Sequence, residues 1–234
     1  MSDACPHGLC DGSGWREDEA ARTAYPCRCR AGRIGRARAR SLSAVIPPKF
    51  RGVSFERPPL ADLSAPVITT VRRYVATIDE QLDAGRGLWF MGDVGTGKTS
   101  LAMLVSQAAL AAGRSVAIYS LPRLIAEIRR TYDEGSRSSD VELLDRLAAV
   151  DLLHVDDVGA ERTSEWVLEQ VYSVVNARYE GEKSMVITTN ITDREALEEQ
   201  ITPRTVSRLT EMCEEIPVFG EDRRLDARLE KRSA

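Results

Sequence analysis

The chain runs to 234 residues, 43% of them hydrophobic and 29% charged, with a formal net charge of −4. That length fits one domain of ordinary size with a sizeable core and a small appendage, and is tight for two full domains. The balance is that of a soluble globular protein and excludes a uniformly basic nucleic-acid binder, so any basic surface has to be local.

The N-terminal Met1-Ser2-Asp3-Ala4-Cys5-Pro6-His7 lacks the basic-then-apolar layout of a secretory signal. No uncharged apolar run reaches the ~18 residues needed to span a bilayer, so a cytoplasmic location without membrane contact is expected. Four of the five cysteines fall within the first 29 residues, which suits metal binding in a reducing compartment better than a disulfide framework. Cys5, His7, Cys10, Cys27 and Cys29 surround the turn-rich Asp11-Gly12-Ser13-Gly14. A segment this small buries too little apolar surface to hold itself together, and a tetrahedral Zn²⁺ would replace the missing core. Two ligand groups about sixteen residues apart fit a zinc ribbon or knuckle, with five candidates for four places.

Arg28, Arg30, Arg33, Arg36, Arg38 and Arg40 follow with no acidic residue between them. Arginine at this density suits a nucleic-acid backbone and equally a solvated helical linker face. Pro47 and Pro48 disfavour helix in the residues before them, so 45–55 reads as extended and marks the boundary of the main domain. From Pro66 to Ala84, Val67, Val71, Tyr74, Val75, Ile78 and Leu82 recur at intervals of three or four, which predicts one amphipathic helix ending at Gly85.

Gly92-Asp93-Val94-Gly95-Thr96-Gly97-Lys98-Thr99 matches the P-loop pattern G-x-x-x-x-G-K-[ST] at every fixed position. The glycines let backbone N–H groups converge on a phosphate, Lys98 brings a point charge to the β/γ-phosphates, and the Thr99 hydroxyl can ligate Mg²⁺. The apolar run Gly87–Met91 before it predicts a buried strand, and Ser100–Ala112 after it a helix. Ser115–Ser120 reads as a second strand, Leu121–Tyr132 and Val141–Ala149 as helices broken at 135–139. Strand–helix alternation around a P-loop means a parallel sheet between helices.

Val150-Asp151-Leu152-Leu153-His154-Val155-Asp156-Asp157 is an apolar run ending in two carboxylates, a Walker B pattern. A parallel strand delivers its last residues to the sheet edge where the P-loop lies. Asp156 is then placed for the Mg²⁺ shell and Asp157 to polarise a water. His154, inside the apolar run, reads as a core histidine. Lys183–Asn190 is a further strand ending in polar groups.

Six stretches together resemble the DnaC/IstB family of AAA+ ATPases, which includes DnaI: Ile46-Pro47-Pro48-Lys49-Phe50, the P-loop, Asp156-Asp157-Val158-Gly159 with Ser164-Glu165-Trp166, Asn176-Ala177-Arg178-Tyr179, Ile187-Thr188-Thr189-Asn190 and Ser207-Arg208-Leu209. They cover about residues 45 to 234 in the family's order. The resemblance implies a P-loop AAA+ (ASCE) α/β domain with a parallel five-stranded sheet and no C-terminal lid. It implies that Asn190 is the sensor 1 residue, that Arg208 is an arginine finger serving a neighbour's ATP, and that Arg224 takes the sensor 2 position. Ser100 joins Gly92–Thr99 as an ATP contact. Relatives commonly place Glu where this chain has Asp157. Cys10-Asp11-Gly12-Ser13-Gly14-Trp15 and Pro26-Cys27-Arg28-Cys29 also resemble the cysteine-rich start of some members, and aligning there favours His7, Cys10, Cys27 and Cys29 as zinc ligands with Cys5 as the alternative.

The expected division is a zinc module at 1–34, a basic linker at 35–44 and an ATPase domain at 45–234. By resemblance the chain is an ATP-dependent loader of a DnaB-type replicative helicase onto single-stranded DNA. Its N-terminus docks on the helicase, and it self-associates through the ATP site. Arg129, Arg130 and Tyr132 offer charge and a ring for the DNA contact. The rival readings are an IstB-like transposition regulator on duplex DNA and a P-loop small-molecule kinase.

Overall fold

The computed structural model describes residues 5, 8–18, 23–30, 46–133, 137–159 and 164–222. A two-stranded antiparallel hairpin, β1 (Trp15–Asp18) with β2 (Thr23–Pro26), belongs to the cysteine-rich start. The remaining strands form one five-stranded sheet: β3 (Gly87–Met91), β4 (Val116–Ser120), β5 (Leu152–Asp156), β6 (Ser184–Thr189) and β7 (Cys213–Pro217). Its order is β4-β5-β6-β3-β7 and every pairing is parallel. The expected five-stranded parallel sheet between helices is therefore present.

Side chains alternate across the pleat, and this sends neighbouring residues of one strand into two cores. Leu88 and Phe90 pack with α1 (Ala65–Ala76), α2 (Ile78–Asp83) and α3 (Lys98–Ala111). Trp89 packs on the other face, against α4 (Leu121–Asp133), α5 (Arg137–Ala149), α6 (Glu165–Glu180), α7 (Arg194–Ile201) and α8 (Pro203–Met212). All three are 0% exposed. Burial of each such side chain contributes roughly 1.5–3 kcal/mol. β3 thus lies in the middle of three layers, and the loop that follows it is anchored from both sides.

One helix was expected from Pro66 to Ala84, but the chain breaks it at Thr77, whose φ of −115° and ψ of 31° are not helical. The Thr77 hydroxyl donates to the Arg73 carbonyl at 3.1 Å and accepts from Gln81 Nε2 at 3.0 Å, so a β-branched residue takes over local bonding at the bend. The stretch read as extended at 45–55 holds a short 3₁₀ turn at Pro48–Phe50, and Gln107 of α3 donates to the Phe50 carbonyl at 2.6 Å. The helix expected from Val141 begins at Arg137.

A single buried cation ties the end of α5 to the start of two strands. Arg178 of α6 is 0% exposed, and its guanidinium donates to the carbonyls of Leu147 at 2.7 Å, Val150 at 3.1 Å, Asp151 at 3.3 Å and Ser184 at 2.5 Å. Burial pulls its pKa down to about 9, against the opposing pull of Asp151 and Cys213.

Candidate nucleotide site and cysteine cluster

The P-loop runs from the end of β3 to the first turn of α3, so the helix N-terminus and its free N–H groups face the cradle. Gly92 and Gly95 have φ of 148° and 79°. A Cβ on Gly92 would run into the Val218 carbonyl, and one on Gly95 into the Asp222 carboxylate. Both positions therefore demand glycine for space as well as for conformation. The segment after β7 is held there by the Val218 N–H, which donates to the Met91 carbonyl at 2.7 Å. Lys98 is 5% exposed and donates to the Gly92 carbonyl at 2.9 Å and the Asp93 carbonyl at 2.5 Å. Thr96 braces the same loop by donating to the Asp93 carbonyl at 3.0 Å, Ser100 is buried in the first turn of α3, and Val94 stands exposed.

Asp156, the last residue of β5, meets the P-loop helix directly. The Thr99 hydroxyl donates to its Oδ1 at 3.0 Å and the Thr188 hydroxyl, from β6, donates to the same atom at 2.6 Å. Burial works to raise the Asp156 pKa, but His154, Thr188 and Thr99 together hold it below the usual carboxylate range. Asp156 is therefore an ionised oxygen ligand beside a hydroxyl, a donor pair that fits Mg²⁺. Thr188 also accepts from the Asp157 N–H at 2.9 Å, so one hydroxyl fixes both carboxylate positions.

Asp157 has φ of 58°, a left-handed conformation that aspartate tolerates better than most side chains. This gives a conformational reason for the shorter carboxylate at this position. Asn190 follows β6 on the same sheet edge and is exposed. His154 is fully buried, with Nδ1 3.0 Å from Ser106 Oγ of the P-loop helix and Nε2 4.0 Å from Asp156 Oδ1. It is a core residue that joins β5 to α3.

Arg208 lies in α8 with its guanidinium 4.8 Å from the Tyr172 ring centre and 5.3 Å from that of Tyr179, both on α6. Among the described residues no hydrogen bond or ion pair joins it to the P-loop. α8 runs from Pro203 to Met212, which puts Arg204 at its start and Arg208 in its middle. Arg224 lies outside the described residues. Arg129 sits 5.2 Å over the Trp166 ring and Arg130 pairs with Glu127 at 2.7 Å, so these two cations of α4 have partners within the chain. The side chain of Tyr132 lies outside the described residues.

At the N-terminus the Sγ atoms of Cys5, Cys10, Cys27 and Cys29 lie within 4.8 Å of one another. Cys5 to Cys27 is 3.8 Å and Cys10 to Cys29 is 3.5 Å, close to the about 3.8 Å that tetrahedral Zn–S bonds of about 2.3 Å impose. The four thiols thus fit a zinc ion. Cys5, the alternative ligand, takes the fourth place in this cluster, and His7 lies outside the described residues. Burial, and then hydrogen bonding with Cys10, Cys27 and Cys5, push the Cys29 thiol up to about 12.

Sequence reasoning missed Thr188 as the fixing point of the two carboxylates and Arg178 as a clamp. A Thr-Thr pair closing an apolar strand was the available sign for the first. A lone arginine in an otherwise amphipathic helix carries no comparable sign of burial. No helix among the described residues is long and apolar enough to cross a membrane.

Against known families, residues 73–231 match the family described as IstB-like ATP binding protein, well over half of the chain. The replicative helicase loader DnaC of Buchnera aphidicola subsp. Schizaphis graminum is 24% identical over 143 residues, 61% of this chain and 56% of that protein. Its counterpart from Escherichia coli strain K12 is 28% identical over 123 residues, 53% and 49% respectively. The chain therefore spans about half the length of the curated relatives it matches. A crystal structure of the DnaC helicase loader superposes with a TM-score of 0.65 at 26% identity, covering 74% of this chain and 99% of that one. With a P-loop, a Walker B carboxylate and a family match over most of its length, the chain belongs to the IstB-like ATP-binding proteins, a DnaC/IstB/DnaI-type branch of the AAA+ ATPases.

Proposed function

We propose that the chain is an ATPase that loads a DnaB-type replicative helicase onto single-stranded DNA, with its ATP site completed by a neighbouring copy. In this reading residues 1–34 form a zinc module, 35–44 a basic linker and 45–234 the ATPase domain. The observation that carries it is the convergence of Lys98, Thr99, Asp156 and Asp157 at one sheet edge while Arg208 is held elsewhere by Tyr172 and Tyr179. The likeness to DnaC helicase loaders supports the choice of partner.

Bound Mg-ATP would supply the phosphoryl group and the cation that neutralises its charge. Gly92–Thr99 and Ser100 hold the phosphates, with Lys98 turning from the loop carbonyls to the β/γ-oxygens. Thr99 and Asp156 hold the ion. Asp157 takes a proton from the attacking water, which the Asn190 amide orients. Arg208 of one copy reaches the γ-phosphate in the next and stabilises the charge that develops there. Arg224 contacts the nucleotide from the segment that follows Asp222. Arg129, Arg130 and Tyr132 on α4 contact DNA, for which the two arginines must leave Trp166 and Glu127. The protein acts in the cytoplasm.

The test is a pair of variants. Lys98→Ala is expected to abolish ATP binding, whereas Arg208→Ala keeps binding and loses assembly-dependent hydrolysis by about a thousandfold or more. Normal turnover in Arg208→Ala would overturn a shared site. Pull-down with a replicative helicase against pull-down with a transposase separates the loader from an IstB-like transposition regulator on duplex DNA, the second reading, which the family match favours. A small-molecule kinase would show no stimulation of hydrolysis by single-stranded DNA.

A further inference from the structure

Three of the five exposed large apolar side chains among the described residues belong to the cysteine module: Leu9 at 42%, Trp15 at 40% and Tyr25 at 55%. Each ring has an arginine beside it. The Arg30 guanidinium stacks over the Trp15 ring, 3.4 Å from its centre, and covers one of its faces, and Arg16 is the direct cross-strand partner of Tyr25. Arg28, between the two buried cysteines of the cluster, is exposed.

Charge is distributed unevenly along the hairpin. In the β1–β2 register the Trp15–Pro26 and Arg16–Tyr25 pairs lie at the cysteine end, whereas Glu17 and Asp18 pair with Ala24 and Thr23 at the turn end. Beyond the hairpin, residues 28–40 hold six arginines and no acidic residue. Rings open to solvent, each flanked by a cation, continuing into an uninterrupted cationic stretch, match a polyanion with flat bases along it. A protein partner would explain the rings but would need an acidic surface for the arginines.

We infer that the cysteine-stapled hairpin is a binding site for single-stranded nucleic acid, with bases stacking on Tyr25 and on the face of Trp15 that Arg30 leaves open, and phosphates pairing with Arg16 and Arg28. The site is separate from the α4 contact of the loader reading and does not depend on it. With a metal bound, the cysteine cluster would hold the rings in place.

The test uses the full chain without nucleotide and a fluorescently labelled 15-residue oligo-dT, read by anisotropy. Trp15→Ala and Tyr25→Ala are each expected to weaken binding by about tenfold, as loss of one stacked base does. Trp15→Phe and Tyr25→Phe should retain affinity to within about threefold. Arg28→Ala should reduce the log–log salt slope by about 0.7, the loss of one phosphate contact on a single strand. A second readout needs no destabilising variant: oligo-dT should quench tryptophan emission more in the wild type than in Trp15→Phe, the difference reporting Trp15, since Trp89 is fully buried and the partly buried Trp166 is common to both. Unchanged oligonucleotide affinity in the two alanine variants would overturn the proposal. So would loss of helicase pull-down in those variants with oligonucleotide binding intact, which would assign the patch to a protein. ATP turnover without DNA and helicase pull-down report on the loader reading, so its failure is seen separately.

Discussion

The two chemical centres of this chain are built on opposite foundations. The nucleotide site hangs from β3, whose Leu88, Trp89 and Phe90 are inaccessible to solvent in the middle of three layers. The cysteine cluster is joined to a hairpin whose second strand is exposed along its whole length. Each region nonetheless brings several electron-rich atoms to one small volume. In the sheet, the Arg178 guanidinium gathers carbonyls from α5, β6 and the turn before β5. In the hairpin, four thiols converge on a volume that fits a metal ion. In the sheet a cation refines a fold that apolar burial has already made, whereas in the hairpin a bound metal would replace the missing core.

The largest contrast should come from a chelator. It is expected to free Cys5, Cys10, Cys27 and Cys29 to a thiol reagent and to abolish the β1–β2 pairing, while ATP binding by calorimetry stays unchanged. Loss of ATP binding on chelation would show that the two regions fold as one.

Next in size is Arg178→Met, which leaves the carbonyls of Leu147, Val150 and Ser184 without their buried donor. A loss of about 3–5 kcal/mol in urea unfolding is expected, against no change in metal content.

Cys213 sharpens the contrast between thiols. Burial pushes it up to about 12, above the ordinary value of about 8.5, so the folded chain holds its proton where the unfolded chain releases it. The stabilisation is complete below pH 8.5 and is lost as pH rises towards about 12. Between pH 8.5 and 9.5 the wild type should lose about 1 kcal/mol more than Cys213→Ala. The smallest effect is expected for Asp157→Glu. At a φ of 58° the longer side chain adds strain of about 1 kcal/mol, and turnover should fall roughly fivefold with ATP affinity kept.

Much of the ATPase fold was legible because buried parallel strands announce themselves as short apolar runs. Gly87–Met91 was read to the residue, and Leu152–Asp156 and Ser184–Thr189 to within a residue or two at each end. β7 was not: Cys213-Glu214-Glu215-Ile216-Pro217 pairs with β3 alone and leaves its two glutamates exposed, so it carries no apolar run. The break at Thr77 was hidden because apolar spacing continues through it, on Val75 and Ile78. Spacing alone could not choose between His7 and Cys5, since both stand within five residues of Cys10. In the nucleotide site, Lys98, Thr99 and Asp156 could be named from motif chemistry, but Thr188 acts only through a neighbouring strand, and strand order is not written locally.

The proposed role of Arg208 would set a stoichiometry. If one copy gives this cation to the P-loop of the next, the contact is head-to-tail, because donor and acceptor are different surfaces of the same chain. A closed ring then has as many finished sites as protomers. An open spiral has one fewer, since the last P-loop has no donor and the first Arg208 no acceptor. Counting rapid turnovers per chain in a single burst would therefore report the shape of the assembly without an image of it.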